Sequence, residues 1–77
     1  MDKSTIEAKI ILMLVELKKE KNIKASTEFK DLGMGFLDCV EFFLQVEKEF
    51  GIKFNSTGLA TLTTPDQVAR EVYYKLQ

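Results

Sequence analysis

The side chains that could do chemistry in this sequence are a single thiol and a set of carboxylates. Cys39 is the only cysteine and histidine is absent, which excludes Cys-His and Ser-His nucleophile pairs and zinc sites built from both residues. No obvious cation would lower the thiol pKa. Because Cys39 shares helical spacing with Phe42, Phe43 and Val46, we expect it to be a small core residue.

The carboxylates do not supply a catalytic or metal site either. Asp31 and Asp38 flank a short glycine-containing segment, but two carboxylates without further oxygen ligands do not make a dedicated cation site. We therefore predict that the chain has no catalytic residue and no metal site, and that it is not an enzyme.

The composition predicts a single globular domain spanning residues 1–77. Apolar residues make up 45% of the chain and charged residues 30%, with a net charge of -1, which argues against nucleic-acid binding. The apolar run at residues 10–15 is too short to span a bilayer, and the first residues lack the order of a signal peptide. We expect a cytoplasmic monomer that does not bind membranes.

Charge is distributed unevenly along the chain. Residues 3–24 contain six basic and three acidic side chains, whereas residues 28–49 contain six acidic and two basic ones. The middle of the chain is therefore expected to present a negative face to partners.

Apolar spacing and helix-end signals predict the secondary structure. Ser4 and Glu7 form a capping-box pattern for a first helix, and residues 24–35 form a long polar loop containing two glycines. A second helix is predicted over residues 36–50, ending at Gly51. A short helical turn is predicted within residues 56–62. Thr64 and Gln67 form the cap of a last helix that starts at Pro65 and runs to about residue 76.

The stripes on these helices predict the core. The first helix repeats apolar residues every three or four positions, the second carries the strongest apolar stripe, and the last repeats valines and a leucine every four residues. The predicted core residues are Ile6, Ile10, Met13, Leu14, Leu17, Cys39, Phe42, Phe43, Val46, Phe50, Val68, Val72 and Leu76.

The segment at residues 31–38, D-L-G-M-G-F-L-D, followed by V-E at 40–41 and V-E-K-E-F-G-I at 46–52, resembles the signature of the acyl carrier protein family. That signature reads, in outline, D-L-G-x-D-S-L. The resemblance extends over the whole chain. It implies an all-α, four-helix bundle with a long loop between the first and second helices and a short third helix.

In that family the serine of D-S-L receives a 4'-phosphopantetheine arm that carries acyl groups as thioesters. The resemblance puts Phe36 at this attachment position and Gly35 at that of the preceding aspartate. A phenyl ring has no oxygen with which to form the phosphodiester, so we expect no cofactor. Ser4, Ser26 and Ser56 are not followed by a comparable Leu-Asp helix start.

The resemblance also implies a partner-binding surface, because carriers dock through acidic residues of the second helix onto basic patches of their enzymes. The matching residues and their apolar neighbours are Phe36, Leu37, Asp38, Val40, Glu41, Leu44 and Glu47. Lys48 departs from the family's acidic run. For the acidic residues the alternative to docking is an ordinary solvated face. For Phe36 two arrangements stay open: the ring folds onto the loop beside Leu32 or Leu37, or it stays exposed as an anchor.

These observations leave three hypotheses for the function. In the first, the chain is a non-carrying module that docks on carrier-dependent enzymes of fatty-acid or polyketide synthesis. In the second, it is a working acyl carrier, modified at another residue or altered at residue 36 in this sequence, with 4'-phosphopantetheine as its cofactor. In the third, it binds a small apolar ligand non-covalently between the second and last helices, although the phenylalanines could fill that space.

Overall fold

The computed structural model describes residues 1–55 and 58–77, and every regular element within them is helical. Three α-helices occur in the order α1 (Lys3–Lys18), α2 (Phe36–Phe50) and α3 (Pro65–Lys75). Single 3₁₀ turns at Phe29–Leu32 and Leu59–Thr61 interrupt the two connections. The all-α prediction is confirmed, but four helices are not: the expected short third helix is the turn at Leu59–Thr61, and Ser56 lies outside the described residues.

The predicted capping box at the start of α1 is wrong. The helix begins two residues earlier, and its cap is Asp2, whose carboxylate accepts a hydrogen bond from the Thr5 N–H at 2.9 Å. Ser4 lies in the first turn, and its hydroxyl donates to Asp2 at 3.1 Å. A carboxylate is a charged and therefore stronger acceptor than a hydroxyl, which explains why Asp2 takes the capping position. Glu7 pairs with Lys3 instead.

The predicted ends of α2 and α3 are largely confirmed. Gly51 follows α2 with a φ of 68°, a left-handed conformation that glycine adopts at little cost. Pro65 is the first residue of α3, and the Thr64 hydroxyl accepts from the Gln67 N–H at 3.3 Å. The Gln67 side chain, however, accepts from the Thr63 N–H at 2.6 Å, one residue before the position that a capping box implies.

The core is built from one stripe of each helix together with three residues of the connection between α1 and α2. α1 packs mainly on α3, where α3 contributes small side chains. The buried apolar residues are Ile6, Ile10, Leu14, Ile23, Phe29, Met34, Phe42, Phe43, Val46, Val68, Ala69 and Val72. Met13, Leu17, Cys39 and Phe50 are only half-buried, and Leu76, predicted for the core, is exposed because α3 ends before it.

Aromatic contacts attach both connections to α2. The ring of Phe42 lies 5.4 Å from that of Phe29 in the long loop and 5.5 Å from that of Phe43. Phe43 in turn contacts Phe54 of the second connection at 5.4 Å. Edge-to-face arrangements of this kind add to the stabilisation that comes from burying the rings. The two connections are thus held against the same helix.

Backbone hydrogen bonds also join the connections to each other. The Phe29 N–H donates to the Thr63 carbonyl, and the Asp66 N–H donates to the Ala25 carbonyl, both at 2.9 Å. At the same end of the molecule, Asp66 accepts from Lys3 and Arg70 at 2.7 Å each. The hydrogen bond from Lys3 is the main cause that lowers the pKa of Asp66. Within the described residues, none of the helices is long and apolar enough to cross a membrane.

Candidate functional site

The start of α2 and the side of this helix opposite the aromatic cluster are largely apolar, and no element formed by residues 1–55 and 58–77 covers them. We call this surface the outer face, and it consists of Phe36, Leu37, Val40, Glu41, Leu44 and Lys48. Phe36 is 81% exposed, Leu37 79% and Leu44 59%. Burial of Phe42 and Val46 turns Leu37, Leu44 and Lys48 toward the opposite side of the helix. Phe36 lies seven residues before the buried Phe43 and is exposed at the first position of α2. All four apolar residues predicted for partner binding lie on this face.

Phe36 is the first residue of α2, and its ring extends into solvent rather than covering the loop. Of the two arrangements expected from the sequence, the exposed ring is therefore the one that this structure has. Gly35 precedes it as the cap and makes no side-chain hydrogen bond to the helix. A phenylalanine exposed to this extent beside other exposed apolar residues is typical of an interaction surface.

The three acids predicted for docking differ in their surroundings. Asp38 is half-buried and pairs with Lys18 of α1 at 3.4 Å. Glu47 is half-buried, and its carboxylate accepts from the Phe54 N–H at 2.8 Å. Of the three, Glu41 alone is exposed, and it forms no ion pair with any residue of ranges 1–55 and 58–77. Asp38 and Glu47 thus hold neighbouring elements on α2, a role that the linear sequence does not reveal.

An open apolar cavity of about 530 Å³ lies beside the outer face. It is bounded by the first turns of α2, the loop around Phe29 and the second connection. Its lining residues are Glu28, Phe29, Lys30, Met34, Gly35, Phe36, Cys39, Val40, Phe43, Leu59, Ala60, Leu62 and Thr63. None of its lining residues belongs to α3, so this cavity does not lie between the second and last helices, where the sequence-based hypothesis puts a ligand. The reason is that α3 packs on α1, whereas residues 59–63 face the start of α2.

Cys39 lines this cavity and is half-buried. Burial raises the pKa of its thiol, and the nearby charge of Asp38 raises it further, so the reactive thiolate is disfavoured. That Cys39 does no chemistry stays a prediction. Over the described part of the chain, no group of three or more His, Cys, Asp or Glu side chains could hold a metal ion.

A phosphopantetheine arm is attached through a hydroxyl oxygen of the protein. Residue 36 does not provide one, because the side chain at the exposed start of α2 is the phenyl ring of Phe36. Thr63 also lines the cavity, but its hydroxyl donates to the Gln67 side chain at 3.1 Å. Ser4 donates to Asp2, Ser26 is exposed in a turn of the long loop, and Ser56 lies outside the described residues.

Known proteins resemble most of this chain. A family model described as "Phosphopantetheine attachment site" matches residues 10–72. A chloroplastic acyl carrier protein from Brassica napus is 36% identical over 62 residues, which cover 80% of this chain and 46% of the relative. A second one from the same plant is 31% identical over 70 residues, covering 91% and 52%. Acyl carrier protein 2 from Spinacia oleracea is 28% identical over 60 residues, covering 78% and 46%.

The chain therefore spans about half the length of these relatives.

The sequence predicted the apolar residues of the outer face, but it did not predict the bonds of Asp38 and Glu47 or the cavity wall at Leu59, Ala60 and Leu62. The only sequence signal for the wall was a weak one, an apolar spacing in a region rich in threonine.

Glu47 and Glu41 should differ in their contribution to stability. Glu47→Ala removes a charge-assisted hydrogen bond and leaves the Phe54 N–H without this acceptor, so we expect a loss of about 1–2 kcal/mol in the free energy of unfolding. Glu41→Ala, a matched change on the exposed side of α2, should alter it by less than about 0.5 kcal/mol. Urea denaturation of both variants measures the difference, and equal midpoints would contradict a structural role for Glu47.

Proposed function

The chain belongs to the acyl carrier protein family, and from that premise we propose that residues 1–77 form a single carrier-like domain that docks on enzymes without carrying an acyl group. Its partners would be carrier-dependent enzymes of fatty-acid or polyketide synthesis. The observation that supports this most directly is Phe36, an exposed ring at the helix start where the resemblance expects the modified serine. Acyl carrier proteins are carriers and not enzymes, in agreement with the prediction for this chain.

In this proposal docking depends more on apolar contact than on charge. Lys18 already neutralises Asp38 and Glu47 is bonded to the backbone, so Glu41 is the acid of the predicted set that is available to a basic patch. Lys48 is exposed on the same face, and its positive charge offsets the negative charge of Glu41. Aromatic side chains, including phenylalanine, are enriched in the cores of interfaces, where a few anchors carry most of the binding energy. Phe36 is accordingly the proposed anchor, with Leu37, Val40 and Leu44 around it.

Binding to a condensing enzyme of fatty-acid synthesis tests the docking proposal. Phe36→Ala should weaken the complex by roughly tenfold or more, because the anchor loses its ring. The control is Leu12→Ala, which truncates an apolar residue exposed to 58% on α1 and should leave the dissociation constant unchanged. Surface plasmon resonance at two salt concentrations completes the test. We expect the dissociation constant to change less than about threefold between them, since only one acid is available to form ion pairs that salt can screen.

Docking through Phe36 would be refuted if Phe36→Ala bound the enzyme as tightly as the unchanged protein. A strong weakening by salt together with an unaffected Phe36→Ala would instead indicate docking through the acids alone.

The alternative of a working carrier is tested separately with a phosphopantetheinyl transferase and coenzyme A. We expect the unchanged protein to show no added phosphopantetheine mass, since residue 36 has no hydroxyl. The variant Gly35→Asp with Phe36→Ser, which restores the family pattern, should be modified. Intact-protein mass spectrometry distinguishes the two. Addition to the unchanged protein would overturn the non-carrying proposal, and its site would follow from peptide mapping.

The cavity supports a second candidate function, the non-covalent binding of a small apolar ligand. Its volume of about 530 Å³ and its mostly apolar lining are typical of ligand pockets. A medium-chain fatty alcohol should raise the melting temperature and slow the labelling of Cys39, which lines the cavity. Ala60→Phe, which narrows the cavity, should reduce both effects, whereas Leu12→Ala should not. Unchanged melting and labelling would contradict this function.

The relatives are named as chloroplastic proteins, so the cytoplasmic location expected from the sequence stays a prediction for this chain.

A further inference from the structure

The outer face of α2 carries two charges whose arrangement the docking proposal does not explain. Glu41 and Lys48 are both exposed and lie two helical turns apart on one side of the helix. Neither takes part in any of the ion pairs formed among residues 1–55 and 58–77. With a rise of about 1.5 Å per residue, they are separated by roughly 10 Å along the axis. Leu44 lies between them and is 59% exposed.

Such a face is complementary to itself when a second copy approaches in the opposite direction. A two-fold axis passing between Leu44 and Gln45 places Glu41 of each copy opposite Lys48 of the other, and it brings the two Leu44 side chains together at the centre. Two-fold contacts use the same patch on both copies, so every favourable pair occurs twice. We propose that a second copy of this chain docks antiparallel on the outer face of α2.

The charges also specify the direction of the pairing. Parallel α2 helices in register would oppose Glu41 with Glu41 and Lys48 with Lys48, and like charges facing each other are destabilising. An outer face with only acidic residues would repel a second copy in either direction. Lys48, the one residue of this face that departs from the acidic pattern expected from the resemblance, is therefore what makes self-association electrostatically favourable.

The association should be weak and reversible. A single pair of helices buries less than the ~1,200 Å² typical of stable complexes, and Phe36 and Leu37 lie beyond the paired charges, near the end of the partner helix. The chain would thus be a monomer when dilute, as expected from the sequence, and would dimerise at high concentration. The dimer covers Glu41 and Leu44 of the surface proposed for enzyme docking but not Phe36, so the two states compete for part of one face, although self-association does not require enzyme docking to occur.

Sedimentation equilibrium over protein concentrations from ~10 μM to ~1 mM tests the proposal through a charge exchange. Glu41→Lys and Lys48→Glu should each weaken the dimer by roughly fivefold or more, because each single change creates two repulsive pairs. The combined variant restores both attractions and should return the dissociation constant to within about twofold of the original. Lys21→Glu, which makes the same charge change at an exposed position of the long loop, should have no comparable effect.

Three results would overturn the proposal: a monomer at every concentration, single variants that dimerise as well as the unchanged protein, or a combined variant that fails to recover. Circular dichroism confirms that the variants stay folded, as expected for changes at exposed sites. The outcome is independent of the docking proposal, because Lys48→Glu should weaken self-association and strengthen binding to a basic enzyme patch.

Discussion

The buried contact between Phe42 and Phe29, whose ring centroids are 5.4 Å apart, is the constraint on which the rest of the structure depends. Phe42 is fully buried, and its position fixes the rotation of α2 about its own axis. A helix has one rotational setting, so once this residue faces inward, residues such as Leu37 and Leu44 must face outward. The exposed apolar surface is therefore a geometric consequence of the aromatic core.

The same constraint determines where the cavity lies and which acidic residues of α2 are bonded to neighbouring elements. Phe29 and Phe54 bring both connections to one side of α2, and the space left between them and the first turns of the helix is the cavity. Acids near the connections become bonded to them, as Glu47 does to Phe54. Acids on the far side, such as Glu41, stay in solvent. Position relative to the aromatic cluster thus separates structural acids from those available to a partner.

Two facts bear on the exposed surface of α2: the chain belongs to a carrier family, and residue 36 at the start of this helix is a phenylalanine. α2 still begins at residue 36, with Gly35 as a backbone cap where the resemblance expects an aspartate, but the side chain at residue 36 offers apolar area instead of a nucleophilic oxygen. An aromatic ring held out in water beside three other exposed apolar residues is unfavourable unless something covers it. An enzyme partner would cover this ring, whereas a second copy would cover the part of the outer face around Leu44.

The sequence by itself determined the helical class, most of the core, the stop at Gly51, the Thr64 cap and Pro65 start of α3, and the apolar residues of the outer face. These features depend on local chemistry: the spacing of apolar residues along a helix and the bonding needs of its ends. Only the tertiary structure decided that Asp2 rather than Ser4 caps α1, that Lys18 neutralises Asp38, that Glu47 holds Phe54, and that the cavity faces residues 59–63. Each of these depends on which side chains meet through space, and neither spacing nor composition specifies that.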